Sequence, residues 1–190
     1  MKSRTSQRTG YFTESVIREM TRLSLLHGGV NLAQGFPDFP APEALKEAAI
    51  RAIRDDINQY AITWGAKRLR EAVAVALDMD QTYYDDLAGA YTRRRDFIVD
   101  ALDAAGFQPF LPKGAYYVMT DISRFRASDD VAFSRRLVRE LGVAAVPGSS
   151  FYRTEGGGRQ KIRFCFCKRD ETLREAAVRL QKLSGRRTWA

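Results

Sequence analysis

An arginine and two cysteines share one face of a predicted strand near the end of the chain. The segment KIRFCFCKR alternates as a β-strand does, which places Arg163, Cys165 and Cys167 on one side and three apolar residues on the other. Cysteines are usually buried, so this arginine should be partly buried and should need an anion. Its planar donors suit a carboxylate. That carboxylate is either a ligand or a structural acid of the same domain, such as Asp38 or Asp121.

The other reactive residue types do not form a recognisable catalytic or metal-binding motif. EGGGRQ precedes a strand, whereas a phosphate loop follows a strand and carries a lysine before Ser or Thr. Ser149 and Ser150 lack the glycine pattern of a nucleophilic serine. The single histidine, His27, ends a predicted helix, far in sequence from the two cysteines. We therefore predict that the cysteines are packing residues, with no metal site.

The overall composition is that of a globular protein with one substantial core. The chain has 190 residues, of which 45% are hydrophobic and 28% charged. No apolar stretch approaches the roughly 20 residues of a membrane helix, and no apolar signal core follows the basic N-terminus. Two cysteines one residue apart do not indicate a secreted disulfide framework. We expect a cytoplasmic protein without a membrane partner.

The net charge of +8 raises the question of nucleic-acid binding. The basic residues are mostly arginines and are scattered, with clusters only at residues 92–96 and 184–190. Neither cluster lies beside a nucleic-acid-binding motif. Solvated helix faces and a terminal tail explain this charge more simply, and we predict no nucleic-acid partner.

Hydrophobic periodicity predicts an α+β fold, in which a small mixed sheet is covered by helices. The strands are predicted at residues 115–121, 143–147 and 161–167, in one sheet. The helices packed against that sheet are predicted at residues 81–105, 129–141 and 170–183. Residues 66–80 predict one further, uninterrupted helix.

Five segments together resemble the class I aminotransferases, which are pyridoxal 5'-phosphate (PLP)-dependent enzymes of fold type I. In chain order they are VNLAQGFPDFPAPEALKEAA, INQYAITWGAKRLREAVA, PKGAYYVMTDIS, GVAAVPGSSFY and IRFCFCKRDETLREAAVRL. The resemblance runs from about residue 11 to residue 183 and is nearest the branch of kynurenine, glutamine and methionine aminotransferases. It implies the small-domain part of that fold, an amino acid or 2-oxo acid substrate, and PLP as cofactor.

The resemblance assigns roles to three residues of this chain. Arg163 matches the arginine that grips the substrate α-carboxylate, and Gly35 matches a glycine that lies against bound substrate. Tyr60 matches a tyrosine that reaches the PLP phosphate of the partner subunit. No catalytic residue is carried over, because the family's cofactor-bearing lysine has no match here.

The resemblance also implies that a large central domain is missing from the sequence. KRLREAVA runs directly into VALDMDQTYYDDL, where the family has a long insertion carrying the Schiff-base lysine and most PLP ligands. The lysines at 2, 46, 67, 113, 161, 168 and 182 all lack the family's Ser-x-x-Lys context. We expect residues 1–78 to be the N-terminal arm and first part of the small domain, and residues 79–190 its C-terminal part. Covalently bound PLP is not expected on this chain.

Two functional interpretations follow. The chain is either part of an aminotransferase, inactive as written, or a stand-alone non-catalytic domain that acts as a scaffold or weak carboxylate binder. In the family, Phe36, Phe39, Tyr60 and Trp64 are covered by the large domain or the partner subunit. Exposed aromatic residues favour association, so we also expect a possible homo-oligomer.

Overall fold

The computed structural model describes residues 14–57, 61–77, 80–127 and 129–185. The chain divides into two compact units, of which the first joins Met1–Asp38 to Tyr91–Ala190 and the second is Phe39–Ala90. The correspondence of residues 1–78 and 79–190 to parts of a family's small domain stays a prediction.

Six helices and six strands lie within the described residues. The helices are α1 (Val16–Leu26), α2 (Glu43–Arg54), α3 (Lys67–Leu77), α4 (Gln81–Ala104), α5 (Asp130–Leu141) and α6 (Asp170–Leu180). The strands are β1 (Val30–Asn31), β2 (Gln108–Phe110), β3 (Tyr117–Asp121), β4 (Val143–Ala144), β5 (Val146–Pro147) and β6 (Lys161–Cys165). None of these helices is both long and apolar enough to cross a membrane.

The strands form one antiparallel sheet and one small parallel pair, both within the first unit. The sheet has the order β2-β3-β6-β5, and β1 pairs with β4 in parallel. The α+β fold class is therefore confirmed. The prediction that residues 143–147 lie wholly in the main sheet is wrong, because Val143 and Ala144 pair with β1 and only Val146 and Pro147 pair with β6. This short stretch therefore forms two strands, one in each sheet.

The core of the first unit lies on the apolar face of β6. Ile162, Phe164 and Phe166 are all buried in one hydrophobic cluster, as the alternation of the strand predicts. Phe107 is close to three aromatic rings of this core, at centroid distances of 4.9 Å from Phe125, 5.6 Å from Phe164 and 6.1 Å from Phe133. Such tilted and edge-to-face pairs stabilise a core beyond the area they bury.

The helix predicted over residues 66–80 corresponds to α3, which is described from Lys67 to Leu77, while residues 78 and 79 lie outside the described residues. Helix α4 begins at Gln81, where the sequence predicts a second helix. The Asp80 carboxylate accepts a hydrogen bond of 2.8 Å from the backbone N–H of Thr82. A bond of this kind caps the N-terminal end of a helix, and here it lies at the start of α4.

Phe107→Ala should destabilise the chain by about 3–5 kcal/mol, because it leaves a cavity among three rings. Phe110→Ala is the matched control, since Phe110 lies three residues further along and is 51% exposed. Its effect should stay below about 1 kcal/mol. Urea unfolding monitored by circular dichroism measures both values, and equal losses would contradict the assignment of Phe107 to the centre of the core.

Candidate carboxylate-binding site

The side chain of Arg163 lies between two aromatic rings. Arg163 is in the middle of β6, opposite Met119 of β3 on one side and Val146 of β5 on the other. Its guanidinium carbon lies 3.9 Å from the ring centroid of Tyr117 and 4.2 Å from that of Phe151. Cation–π contacts of this kind stabilise the charge without accepting its hydrogen bonds, so the N–H groups of the guanidinium still require an acceptor.

Within the described parts of the chain, no acidic side chain forms an ion pair with Arg163. Its Nε is buried and has no hydrogen-bond partner there. Burial lowers the pKa of Arg163 from its usual value, because the charged form loses water. The two acids considered as structural partners bind elsewhere: Asp38 accepts from Arg169, and Asp121 accepts from the N–H of Ser123 at 2.8 Å.

Gly35 contacts the same aromatic group. A Cβ atom at Gly35 would lie 2.7 Å from Cζ of Tyr117 and 2.8 Å from Cε2 of Tyr116, closer than real Cβ atoms come to other atoms. Only glycine fits unless these rings move. Because the Tyr117 ring also covers Arg163, two of the three predicted site residues are brought together through Tyr117.

Sequence reasoning missed the two rings that hold Arg163. Met119 is directly opposite Arg163 in the β3–β6 pair, and Tyr117 lies two residues before Met119. Tyr117 is therefore the diagonal neighbour of Arg163 on the same face of the sheet. The predicted strands would have indicated this neighbour had their register been known. Phe151 is the last residue of a short 3₁₀ turn, Gly148–Phe151, and no sequence pattern predicts the direction in which that turn points its ring.

The turn that carries Gly35 is fixed by the residues that follow Arg163. The carbonyl of Leu32 accepts from the N–H of Cys165 at 2.9 Å, and that of Gln34 accepts from its Sγ at 3.1 Å. The carbonyl of Phe36 accepts from Nζ of Lys168 at 2.6 Å. The carbonyl groups of every second residue from Leu32 to Phe36 thus accept hydrogen bonds from residues 165–168. These bonds place Gly35 beside β3.

Asp38 completes the attachment of this turn to α6. Its carboxylate accepts from the backbone N–H of Arg169 at 2.7 Å and from the hydroxyl of Thr172. Burial by itself would raise the pKa of Asp38, but these hydrogen bonds and the charge of Lys168 outweigh it and lower that pKa. A carboxylate with a lowered pKa stabilises the fold at neutral pH. That contribution is lost as the pH falls through the lowered value.

Both cysteines are buried and free, in agreement with the prediction that they pack. The hydrogen bond with Cys167, together with burial, raises the pKa of the Cys165 thiol. Over the described ranges, no group of three or more His, Cys, Asp or Glu side chains could hold a metal ion. The third predicted site residue, Tyr60, lies outside the described residues, and its role stays a prediction.

Residues 72–180, more than half of the chain, match the model of the family "Aminotransferase class I and II". The chain belongs to this family, whose members depend on PLP. The resemblance stated from the sequence is confirmed, and the fold is that of fold type I aminotransferases.

Curated relatives support the same assignment but are much longer. Kynurenine–oxoglutarate transaminase of Dictyostelium discoideum is 34% identical over an alignment of 137 residues, which covers 60% of this chain and 31% of the relative. Methionine aminotransferase of Escherichia coli is 36% identical over 112 residues, 59% of this chain and 29% of the relative. The chain thus spans about a third of the length of the curated relatives it matches.

Solved structures agree with the fold. N-succinyldiaminopimelate aminotransferase from Mycobacterium tuberculosis superposes with a TM-score of 0.58 at 30% identity, over 75% of this chain and 36% of that one. YbdL from Escherichia coli, for which a methionine aminotransferase function was identified, gives a TM-score of 0.75 at 16% identity. That match covers 94% of this chain and 99% of YbdL, and at this identity it supports the fold alone.

Gly35→Ala should destabilise the chain by about 1–3 kcal/mol, since the added methyl group overlaps the Tyr117 ring. Gly114→Ala is the matched control, because nothing lies within 4 Å of a Cβ there. Its effect should be within about 0.5 kcal/mol of zero. Equal midpoints for the two variants in thermal unfolding would show that the Gly35–Tyr117 contact is not tight.

Proposed function

We propose that this chain supplies the carboxylate-binding part of a PLP-dependent aminotransferase, with Arg163 as the residue that binds the substrate carboxylate. One observation carries the proposal: a half-buried guanidinium, held on both faces by Tyr117 and Phe151, has no acidic partner among the described residues. Gly35 lies against Tyr117, the ring that also contacts this guanidinium. The substrates of the complete enzyme would be an amino acid and a 2-oxo acid.

The role of Arg163 in this proposal is to bind and orient. Its N–H edge donates two parallel hydrogen bonds to the two oxygens of a carboxylate, and the flanking rings fix the plane in which they lie. Orientation of the reacting carbon is the main gain from such a clamp. A charge-assisted pair of this kind contributes about 1.5–3 kcal/mol, so a carboxylate bound by Arg163 alone dissociates with a constant of several millimolar or weaker.

The described residues include an arginine suited to a carboxylate, but no lysine contact among them is suited to covalent attachment of PLP. In the family PLP acts as an electron sink and is held by a lysine. The buried Lys168 donates to Phe36, Lys46 and Lys67 are paired with glutamates, and Lys161 lies over Phe110. None of these contacts directs an amine toward Arg163. We therefore propose that the chain as written does not attach PLP covalently and is inactive by itself.

The stand-alone alternative, a scaffold or weak carboxylate binder, uses the same site. Its support is that the Arg163 group is assembled from residues of the first unit alone. Two buried thiols that form no disulfide favour a reducing compartment, and the cytoplasm is the proposed location.

Arg163→Lys should weaken binding of a 2-oxo acid at least several-fold, although it keeps the charge, because lysine lacks the planar fork. The measurement is an NMR titration with 2-oxoglutarate, which follows backbone amides of residues 33–37 and 161–167. Arg124→Lys, at an exposed position of the Ser123–Phe125 turn, is the matched control and should bind as the wild type does. An unchanged spectrum of the wild type at high ligand concentration would refute carboxylate binding at Arg163.

Incubation with PLP followed by borohydride reduction should leave no single lysine modified stoichiometrically. The reason is that no described lysine contact places an amine beside the proposed substrate site. Peptide mass spectrometry checks this expectation. Full modification of one lysine, abolished by its replacement with alanine, would show instead that the chain carries its own cofactor site.

We also propose that the chain self-associates through the second unit. Helix α2 has no buried residue, and Ile57, Ile62 and Trp64 are 66%, 67% and 81% exposed. Apolar surface of this extent tends to find a partner. Light scattering should show a mass above 21.5 kDa that rises with concentration, and Trp64→Ser should reduce the association. A monomer at all concentrations would contradict this proposal.

A further inference from the structure

The ring that covers the second face of Arg163 is held in place from another element. Phe151 ends the 3₁₀ turn Gly148–Phe151, and its ring is 42% exposed, so burial alone does not fix it. The backbone N–H of Ser149, in the middle of this turn, donates to Oδ2 of Asp130 at 2.6 Å. Asp130 is the first residue of α5 and is 1% exposed.

A buried carboxylate in this position is costly unless its hydrogen bonds are strong. The described ion pairs do not include Asp130, so its stabilisation comes from the Ser149 N–H and from the N-terminal end of α5. The bond to Ser149 is charge-assisted and short, which gives it a strength that a neutral acceptor would lack. Asp130 is not needed to cap α5, because the neighbouring Asp129 already accepts a hydrogen bond of 2.7 Å from the N–H of Ala132.

The Gly148–Phe151 turn also packs against the glycine-rich segment EGGGRQ, residues 155–160, and the residue after it. A Cβ atom at Gly148 would lie 2.6 Å from the carbonyl oxygens of Gly158 and Lys161. Backbone therefore packs directly on backbone here, just before β6 begins. The segment EGGGRQ, to which the sequence assigned no chemistry, supports the turn from one side while Asp130 holds it from the other.

We infer that Asp130 is a positioning residue for the carboxylate site. It acts through the Ser149 N–H, which sets the Gly148–Phe151 turn and hence the Phe151 ring against Arg163. This inference rests on the proposed function of Arg163. Without Asp130 the turn loses its anchor on α5, one face of the guanidinium is uncovered, and the N–H edge is no longer held in one plane.

The test uses two adjacent aspartates in the full chain. Asp130→Ala should weaken 2-oxoglutarate binding about three- to tenfold in the NMR titration, as expected for loss of one cation–π contact. Asp129→Ala removes the α5 cap and should lower the thermal midpoint without changing the affinity. Asp130→Asn keeps an oxygen acceptor and should recover part of the lost affinity. Equal affinity of Asp130→Ala and the wild type overturns the inference.

A double-mutant cycle shows whether Asp130 acts through the ring. Phe151→Ala removes a half-exposed side chain and should by itself weaken binding to a similar degree. Added to Phe151→Ala, the Asp130→Ala change should cause no further loss, because both remove the same contact. A further loss of equal size would overturn the inference. If Asp130→Ala does not fold, Asp130→Asn takes its place in the cycle, with the same criterion.

The two proposals fail in different ways. If Arg163→Lys weakens binding but Asp130→Ala does not, the carboxylate site stands and the positioning role of Asp130 is wrong. If Arg163→Lys leaves the affinity unchanged, the proposed function itself is wrong.

Discussion

The site depends on one constraint, which is that the Arg163 cation is taken partly out of water without an anion beside it. Desolvation disfavours the charged form, and the contacts of the two rings offset only part of that cost. A structural arginine would recover the remainder from a carboxylate. Here Asp38 and Asp121 are bonded to backbone N–H groups instead. Under the proposed function, the carboxylate of a ligand supplies the missing anion.

Strand β6 makes this arrangement possible because it serves three purposes at once. One face closes the aromatic core, and its edges pair with β3 and β5, which carry or precede the rings around Arg163. The last residue of the strand and those just after it bind the Leu32–Asp38 turn, although the two segments lie more than 130 positions apart in the chain. Residues from both ends of the sequence thus form one site. Substitutions that change the packing of β6 should therefore also change the position of Gly35.

Much of the fold was predictable because its signals are local. Alternation assigned Ile162, Phe164 and Phe166 to the core, and the α+β class followed from the order of the elements. One local prediction failed where backbone pairing decides the outcome. The pairing of β1 with Val143 divides a stretch that periodicity treats as one strand.

The site was predictable only in part. Strand alternation predicted the face of Arg163, and the roles that the family resemblance implies for Arg163 and Gly35 stay predictions. Neither could give Phe151 or Asp130, because their contribution depends on how a turn without periodicity packs against another helix. Tyr117 was within reach of sequence reasoning, but only with the register of β3 and β6, which a strand prediction leaves open by one residue or more.

A comparison of two cations on the same segment separates a structural role from a binding role. Lys168 is more deeply buried than Arg163, at 2% exposure, yet its amine is bonded to the carbonyl of Phe36 and lies 4.0 Å from the centroid of its ring. Lys168 also lowers the pKa of Asp38, so its charge is used within the fold. Arg163 has rings on both faces but no acceptor at its buried Nε. If burial alone were considered, Lys168 would be chosen as the ligand-binding cation. Arg163 is the better candidate because its buried Nε lacks a hydrogen-bond acceptor, whereas the amine of Lys168 has one.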